Sequence, residues 1–436
     1  MRDRHVVVVS VDAMVYEDLA LFSKLYAMEQ VWDKTARVNR VRSIYPTITY
    51  PCHCTMMTGM YPDKHGVVNN EQPVMCAENS HWQHMRESVK TATIFDAAKK
   101  NGMTTAAVFW PVTGNDPSID YLIDEYWPQN GETTKQAFLD SGSSAEVVEK
   151  IIIPNIQLLE NKHRQHPLAD AFVMRCAADI LREFKPNLLM IHPANVDAAR
   201  HQSGLFSPLV DSALHDTNLW LYELFQAAKD AGIYEQTDFF IVSDHGQMEI
   251  RRSIALNALL AEYGLIHVSE AGKITEWTAF AKSGGLSALV YLKDPEDVRA
   301  RIKTEEVLRI LRDGGLCGIS DILTEEQARK RYHLGGEFAF VVETDGWTSF
   351  SNSWTKPVVR ALDNRDFRYG RATHGHQPEK GPQPTLIAFG PHIKSGTVLE
   401  SANLVDEAPT FARVLGVTME NTDGQSLDEL LCNIDR

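Results

Sequence analysis

Five short runs of nearly unbroken apolar residues constrain this chain more than any other feature. They are HVVVVSV at 5–11, TTAAVFW at 104–110, NLLMIH at 187–192, DFFIVS at 238–243 and TLIAF at 385–389. A strand with one wet face alternates apolar and polar side chains. A run without alternation must be covered on both faces, as parallel strands flanked by helices are. Amphipathic helical patterns occur at 16–30, 90–101, 145–160, 168–184, 208–231 and 405–415. The alternation predicts an α/β fold, a doubly wound and mostly parallel sheet with helices on both faces. Residues 112–165 are polar and irregular and read as an insertion over a sheet edge. Residues 252–365 carry their own pattern: SALVYL at 287–292, a charged helix at 294–313, and FAFVVE at 338–343. The expected organisation is a catalytic core of 1–251 and 366–436 with a small α+β cap inserted at 252–365.

In open α/β sheets, ligands bind beyond the carboxyl ends of the strands. Asp12 follows the first run, Asp197 and His201 follow the third, Asp244-His245-Gly246 ends the fourth, and His374 and His376 lie before the last. Carboxylates and imidazoles converging on one edge make an oxygen/nitrogen site suited to zinc, with manganese or iron as alternatives. Asp197 and His201 are four apart, so on a helix both face one ion. Each residue alone has an ordinary use: Asp12 as a helix cap, DHG as a turn, Asp197/His201 as a surface pair. Their joint appearance at strand ends favours metal.

The segment SIYPTITYPCHCTMMTG at 43–59 places Thr49 just ahead of an expected helix over 52–58, with Pro51 suited to its first turn. Free backbone N–H groups and the dipole favour an anion there. Thr49 reads either as a simple N-cap or as a nucleophile, and the second use requires activation by a base or a metal.

A formal net charge of −15 opposes binding to nucleic-acid polymers and acidic membranes. An anionic small-molecule substrate would need local positive charge, which bound cations supply. No run approaches a membrane span or a signal-peptide core, and the six cysteines lack paired CxxC spacing; a cytoplasmic location with reduced thiols is the expectation.

These residues together resemble the alkaline phosphatase superfamily, most closely its nucleotide pyrophosphatase/phosphodiesterase branch, the type I phosphodiesterases. The segment YPTITYPCHCTMMTGMYPDKHGVVNN at 45–70 is similar to that branch's nucleophile motif, and the likeness continues in FWP (109–111), DAARH (197–201), SDHG (243–246), THG (373–375) and FGPHIKSG (389–396). The resemblance implies an alkaline phosphatase-like fold and two zinc ions. It assigns Asp12, Thr49, Asp244 and His245 to one ion and Asp197, His201 and His374 to the other. Asn70 would hydrogen-bond a phosphoryl oxygen, aided by the backbone N–H of Tyr50, and Tyr50 and Trp110 would line the substrate pocket. Cys52 stands where the family usually has Asn, as a packing residue or a pocket thiol, and His376 falls outside the ligand register. The implied reaction is in-line displacement across two metals roughly 4 Å apart, through a phospho-threonine on Thr49.

Asn70 is a neutral donor, which favours phosphodiesters or phosphonates over monoester dianions. Arg200 beside His201 should face away from the metals on a helix. The nearest alternative is a phosphonate hydrolase such as a phosphonoacetate hydrolase, which would need a cation from Lys64, Arg251 or Arg252. A phosphomonoesterase or phosphomutase of the same superfamily follows, and a non-catalytic, metal-stabilised binding protein stands last. Residues 112–165 and 252–365 are expected to cover the pocket and select the substrate.

Overall fold

The computed structural model describes residues 4–129, 131–160, 162–363 and 370–433. Eight strands form the main sheet: β1 (His5–Ser10), β2 (Ala36–Arg42), β3 (Thr105–Val108), β4 (Tyr121–Ile123), β5 (Leu188–Ile191), β6 (Thr237–Val242), β7 (Leu386–Phe389) and β8 (Val398–Asn403). Their order across the sheet is β8-β2-β7-β6-β1-β5-β3-β4.

The unbroken apolar runs have the expected cause. Val7, Val9, Leu189, Ile191, Phe239 and Ile241 face one core, packed by the Leu168–Phe184 and Pro208–Asp230 helices. Val6, Val8, Leu188, Met190, Phe240 and Val242 face the other, packed by Thr49–Thr58, Ile94–Lys100 and Glu407–Leu415. Each such side chain contributes about 1.5–3 kcal/mol by leaving water. Strands covered on both sides therefore have no use for polar alternation.

Two strands escape the pattern because they lie toward the edge. β2 alternates buried with partly exposed residues, and β8 is largely exposed. The expected helices at 16–30 and 145–160 are broken into short turns, the second around Pro154, which has no N–H to donate.

The 385–389 run is a strand, but it is antiparallel to both neighbours, against the expectation of a parallel one. The reversal positions the site. Leu386, the first residue of β7, pairs with Val242, the last of β6. The segment preceding β7 therefore reaches the same sheet edge as the segments following β1, β5 and β6. A parallel β7 would have sent His374 to the opposite edge.

Within 252–363, strands Ala279–Ser283, Ser287–Leu292, Phe340–Thr344 and Ile319–Thr324 form a separate antiparallel sheet beside helices Val298–Asp313 and Glu325–Tyr332. The anticipated 365/366 boundary lies outside the described residues. Among the described residues, no helix is long and apolar enough to cross a membrane.

Candidate metal centre and active site

Asp12 leaves β1 through a tight turn. Ala13 adopts φ 58°, a conformation that costs a non-glycine residue energy and is held here by two contacts. Its N–H donates to Oδ1 of Asp244 at 3.2 Å, and its carbonyl accepts from Nε of Arg200 at 3.0 Å. Asp12, Asp244 and His245 bring one donor atom each within 4.8 Å of one another, and all three are buried. Asp197, His201 and His374 form a second such group. The rings of His245 and His374 stack at 4.2 Å between centroids, joining the two.

Glycine permits both histidine loops their close approaches. A Cβ on Gly246 would lie 2.0 Å from the carbonyl oxygen of Pro382, and one on Gly375 would lie 1.8 Å from that of Gly284. Gly246 therefore serves packing as well as turning.

The donor atoms face one another as the ligands of a cation would. Oδ1 of Asp12 and Oδ2 of Asp244 are buried without a hydrogen bond. Nε2 of His245 lies 3.6 Å from the first and 3.1 Å from the second. Burial pushes both carboxylates well above their usual range; Asp12 is raised further by Asp197 and Glu125, Asp244 by Asp12. Burial drives His245 well down, with His374 adding to the effect, and takes His374 to about 3. The imidazoles are thus neutral and carry lone pairs. Burial would also raise Asp197, but His201, His374 and His245 outweigh it and hold that carboxyl below its ordinary value. His201 donates Nδ1–H to the carbonyl of Ala372 at 2.7 Å, which fixes its tautomer and leaves Nε2 toward Asp197 Oδ2 at 3.1 Å. Imidazole nitrogens and carboxyl oxygens in two compact groups fit divalent zinc.

Thr49 is the first residue of the Thr49–Thr58 helix and Ile48 caps it, so the helix begins three residues earlier than expected. Oγ1 of Thr49 lies 3.2 Å from Nε2 of His245. The backbone N–H of Tyr50 donates to Oδ1 of Asn70 at 2.8 Å. That bond orients Asn70 and leaves its Nδ2 as the donor, so the Tyr50 N–H is not the partner the resemblance implied. His53 clamps the helix start: one ring nitrogen bonds the carbonyl of Thr49 at 2.8 Å and the other the hydroxyl of Ser10 at 2.9 Å.

Asp12, Thr49, Asn70, Asp197, His201 and His374 open into one cavity of about 850 Å³. Its outer wall contains Trp82, Trp127 and Arg164, with the guanidinium 4.8 Å and 4.3 Å above the two indoles. Neither expected aromatic reaches it. Tyr50 and Trp110 are fully buried, Tyr50 behind the edge of Trp82 and Trp110 against the ring of His53. No described residue of 252–363 lines the cavity either; the 112–165 segment contributes, together with 70–82 and 163–173. Lys64 pairs with Asp423 and Arg251 stacks on Trp347, so among the described lining residues Arg164 is the one Lys or Arg side chain.

Burial, with Asp244 nearby, drives the Cys52 thiol well above its usual range, and its Sγ sits 3.4 Å from the Ser43 hydroxyl; it is a packing residue. His376 is buried outside both donor groups, with Nδ1 bonded to the carbonyl of Gln377 at 2.8 Å. Sequence reasoning passed over His192, which bonds Asp12 at 3.0 Å, and Gln247, which donates to Asp197. His192 ends the third apolar run, and a histidine closing a buried strand at the ligand-bearing edge was its signal. Trp82 and Trp127 carried none.

A sheet of this order with paired donor groups at its carboxyl edge is an alkaline phosphatase-like α/β protein. The family model described as type I phosphodiesterase / nucleotide pyrophosphatase matches residues 6–377, and the chain belongs to that metal-dependent family. It is 25% identical over 236 residues to human ectonucleotide pyrophosphatase/phosphodiesterase family member 1, covering 52% of this chain and 22% of that protein. It is 24% identical to human family member 5 over 393 residues, 87% of this chain and 68% of that one. The chain spans about a fifth of the length of the first curated relatives it matches. Murine ectonucleotide pyrophosphatase/phosphodiesterase 5, solved as an inactive threonine-to-alanine variant in complex with AMP, shares the fold with TM-score 0.67 and 19% identity. The likeness covers 98% of this chain and 100% of that one.

Proposed function

We propose that the chain is a phosphodiesterase of the nucleotide pyrophosphatase type, hydrolysing small phosphodiesters through a phospho-threonine on Thr49 at a two-zinc site. The observation that carries this reading is the Thr49 hydroxyl 3.2 Å from His245, at a helix N-terminus facing a cavity lined by Asp12 of one donor group and by Asp197, His201 and His374 of the other. Zinc held by Asp12, Asp244 and His245, and by Asp197, His201 and His374, would supply hydroxyl activation and neutralise phosphoryl charge. Thr49 attacks phosphorus, the backbone dipole behind it stabilises the developing charge, and Nδ2 of Asn70 donates to a phosphoryl oxygen. His53 and the Asn70–Tyr50 bond hold the attacking residue in place, which is where much of the rate advantage of a positioned nucleophile arises.

The AMP complex of the murine relative favours nucleotide-like substrates, and the neutral Asn70 favours diesters. A carboxylate-bearing phosphonate is the second reading, with Arg164 as its cation in place of Lys64, Arg251 or Arg252. The cytoplasmic location and the 252–365 cap belong to the same proposal; six free cysteines support the first. Thr49→Ala is expected to abolish turnover of a nitrophenyl phosphodiester while the protein retains both metals. Full activity in that variant removes Thr49 from the mechanism.

A further inference from the structure

The second sheet lines none of the cavity, yet it holds a loop that does. Its strand Ala279–Ser283 lies at the edge of that sheet. Lys282 is only 2% exposed there, although a lysine on an edge strand ordinarily carries its ammonium out to water. Nζ donates instead to Oε2 of Glu71 at 3.2 Å and to the hydroxyl of Ser80 at 2.9 Å. Glu71 is itself 6% exposed and lines the cavity. Desolvation offsets most of the attraction within a buried charge pair, and apolar side chains of similar volume often hold a fold together as well. Stability alone gives little reason to bury this pair.

The ties to the sheet fall on both sides of Asn70. Before it, Nδ2 of Asn69 donates to the carbonyl of Ser283 at 3.1 Å, and Oδ1 of Asn69 accepts the backbone N–H of Glu71 at 3.3 Å. After it stands Glu71, held by Lys282. Farther along the loop, Nδ2 of Asn352 donates to the carbonyl of Glu78 at 2.8 Å, and Oδ1 of Asn352 accepts the N–H of Ser283 at 2.7 Å. The carbonyl of Asn70 accepts the N–H of Gln83 at 2.8 Å. Asn70 is thus held from two directions. Its neighbours are fastened to the second sheet, and its own Oδ1 accepts the N–H of Tyr50, one residue after Thr49.

We propose that Lys282 is a positioning residue for the reaction: through Glu71 and Ser80 it sets the backbone from which Asn70 reaches the phosphoryl oxygen. This rests on the phosphodiesterase reading above, in which Nδ2 of Asn70 is the donor. Lys282 does not line the cavity and acts through Asn70. A donor is worth most when it is already held where the charged oxygen stands in the transition state. A displacement of about 1 Å, caused far from the chemistry, can cost on the order of 10²-fold in rate. The second sheet thereby governs the reaction without contributing a wall to the cavity.

Wild type, Lys282→Met, Asn69→Ala and Asn70→Ala are compared as metal-loaded proteins of measured metal content, with the first two substitutions also combined with Asn70→Ala. Asn69→Ala strands no charge, and it decides by the same criteria if Lys282→Met does not fold. On a nitrophenyl phosphodiester, Asn70→Ala is expected to lower kcat by about 10²–10³-fold. Lys282→Met lowers it by roughly 10–100-fold. In the Asn70→Ala background the same change costs less than about threefold, because the group it positions is gone. A general disturbance of the fold would lower kcat by one factor in both backgrounds. That result, or no loss in either, overturns the role of Lys282 with an active wild type. The amide of Tyr50 reports the geometry without catalysis. Its hydrogen exchange, slowed by the bond to Asn70, is expected to quicken about five- to tenfold in Lys282→Met, and unchanged protection also overturns the proposal. A metal-loaded wild type inactive on the diester, or an unimpaired Asn70→Ala, overturns the reading on which the proposal rests and the proposal with it.

Discussion

Nε2 of His192 donates to Oδ2 of Asp12 at 3.0 Å, and this bond decides which oxygen of Asp12 is left for a cation. The other ring nitrogen of His192 faces Glu125 at 3.6 Å, so the imidazole is braced from both ends. Partners of this kind orient a ligand without touching the metal.

His192→Ala is accordingly expected to weaken the ion at Asp12, Asp244 and His245 by about 10–100-fold, a typical cost of losing such a partner. The ion at Asp197, His201 and His374 should be little affected. Competition against a chromophoric chelator measures both affinities, and unchanged affinity at the first ion would refute the bracing role.

Arg200 turns its guanidinium away from the donor groups, as its helical position suggests, and buries it against Asp18, with Nε on the carbonyl of Ala13. Arg200 is 1% and Asp18 5% exposed. Removing one partner of such a pair strands a buried charge, so Arg200→Met is expected to cost about 3–5 kcal/mol. Pairing it with Asp18→Asn should recover most of the loss. Chemical denaturation of the two variants checks this, and a single-variant loss below about 1 kcal/mol would contradict it.

Glu343 joins the second sheet to the loops of the site. It accepts from the Tyr45 hydroxyl at 2.9 Å, the backbone N–H of Gln377 at 3.1 Å and Nζ of Lys380 at 2.9 Å. Burial raises its carboxyl to about 7, with Lys380 and the hydrogen bonds opposing. In the unfolded chain this carboxyl titrates near its ordinary value of 4.5, so between 4.5 and about 7 the folded state binds the proton more tightly. Stability from this group is fully present below that window and is lost as pH rises through it, by up to about 1.4 kcal/mol per pH unit. The melting temperature of Glu343→Gln minus that of the wild type should therefore rise between pH 5 and pH 8, measured by thermal scanning across that range. A flat difference would place the folded-state carboxyl at its ordinary value.

The proposed ligands could be singled out because Asp12, Asp244 and His245 stand where an unbroken apolar run gives way abruptly to Asp or His, with Asp197 and His201 on the helix after the third run and His374 ahead of the last. The orientation of β7 was not legible, since an apolar run such as TLIAF has no direction. Only pairing with Phe239–Val242 on one side and Ala36–Val38 on the other sets it. β2 and β8 were missed because their partly exposed faces admit the polar residues that buried strands exclude. The cavity wall depends on long-range contact. Trp82 meets Trp127 and Arg164 across dozens of residues, and nothing in the local sequence of any of them announces the encounter. Tyr50 followed a motif position faithfully and still fell behind that wall, because Trp82 occupies the space in front of it.

The most direct measurement is anomalous diffraction at the zinc edge from crystals of the metal-loaded protein. Two peaks are expected, one enclosed by Asp12, Asp244 and His245 with Oγ1 of Thr49 beside it, the other by Asp197, His201 and His374. A single peak elsewhere, or none at either group, would contradict the account.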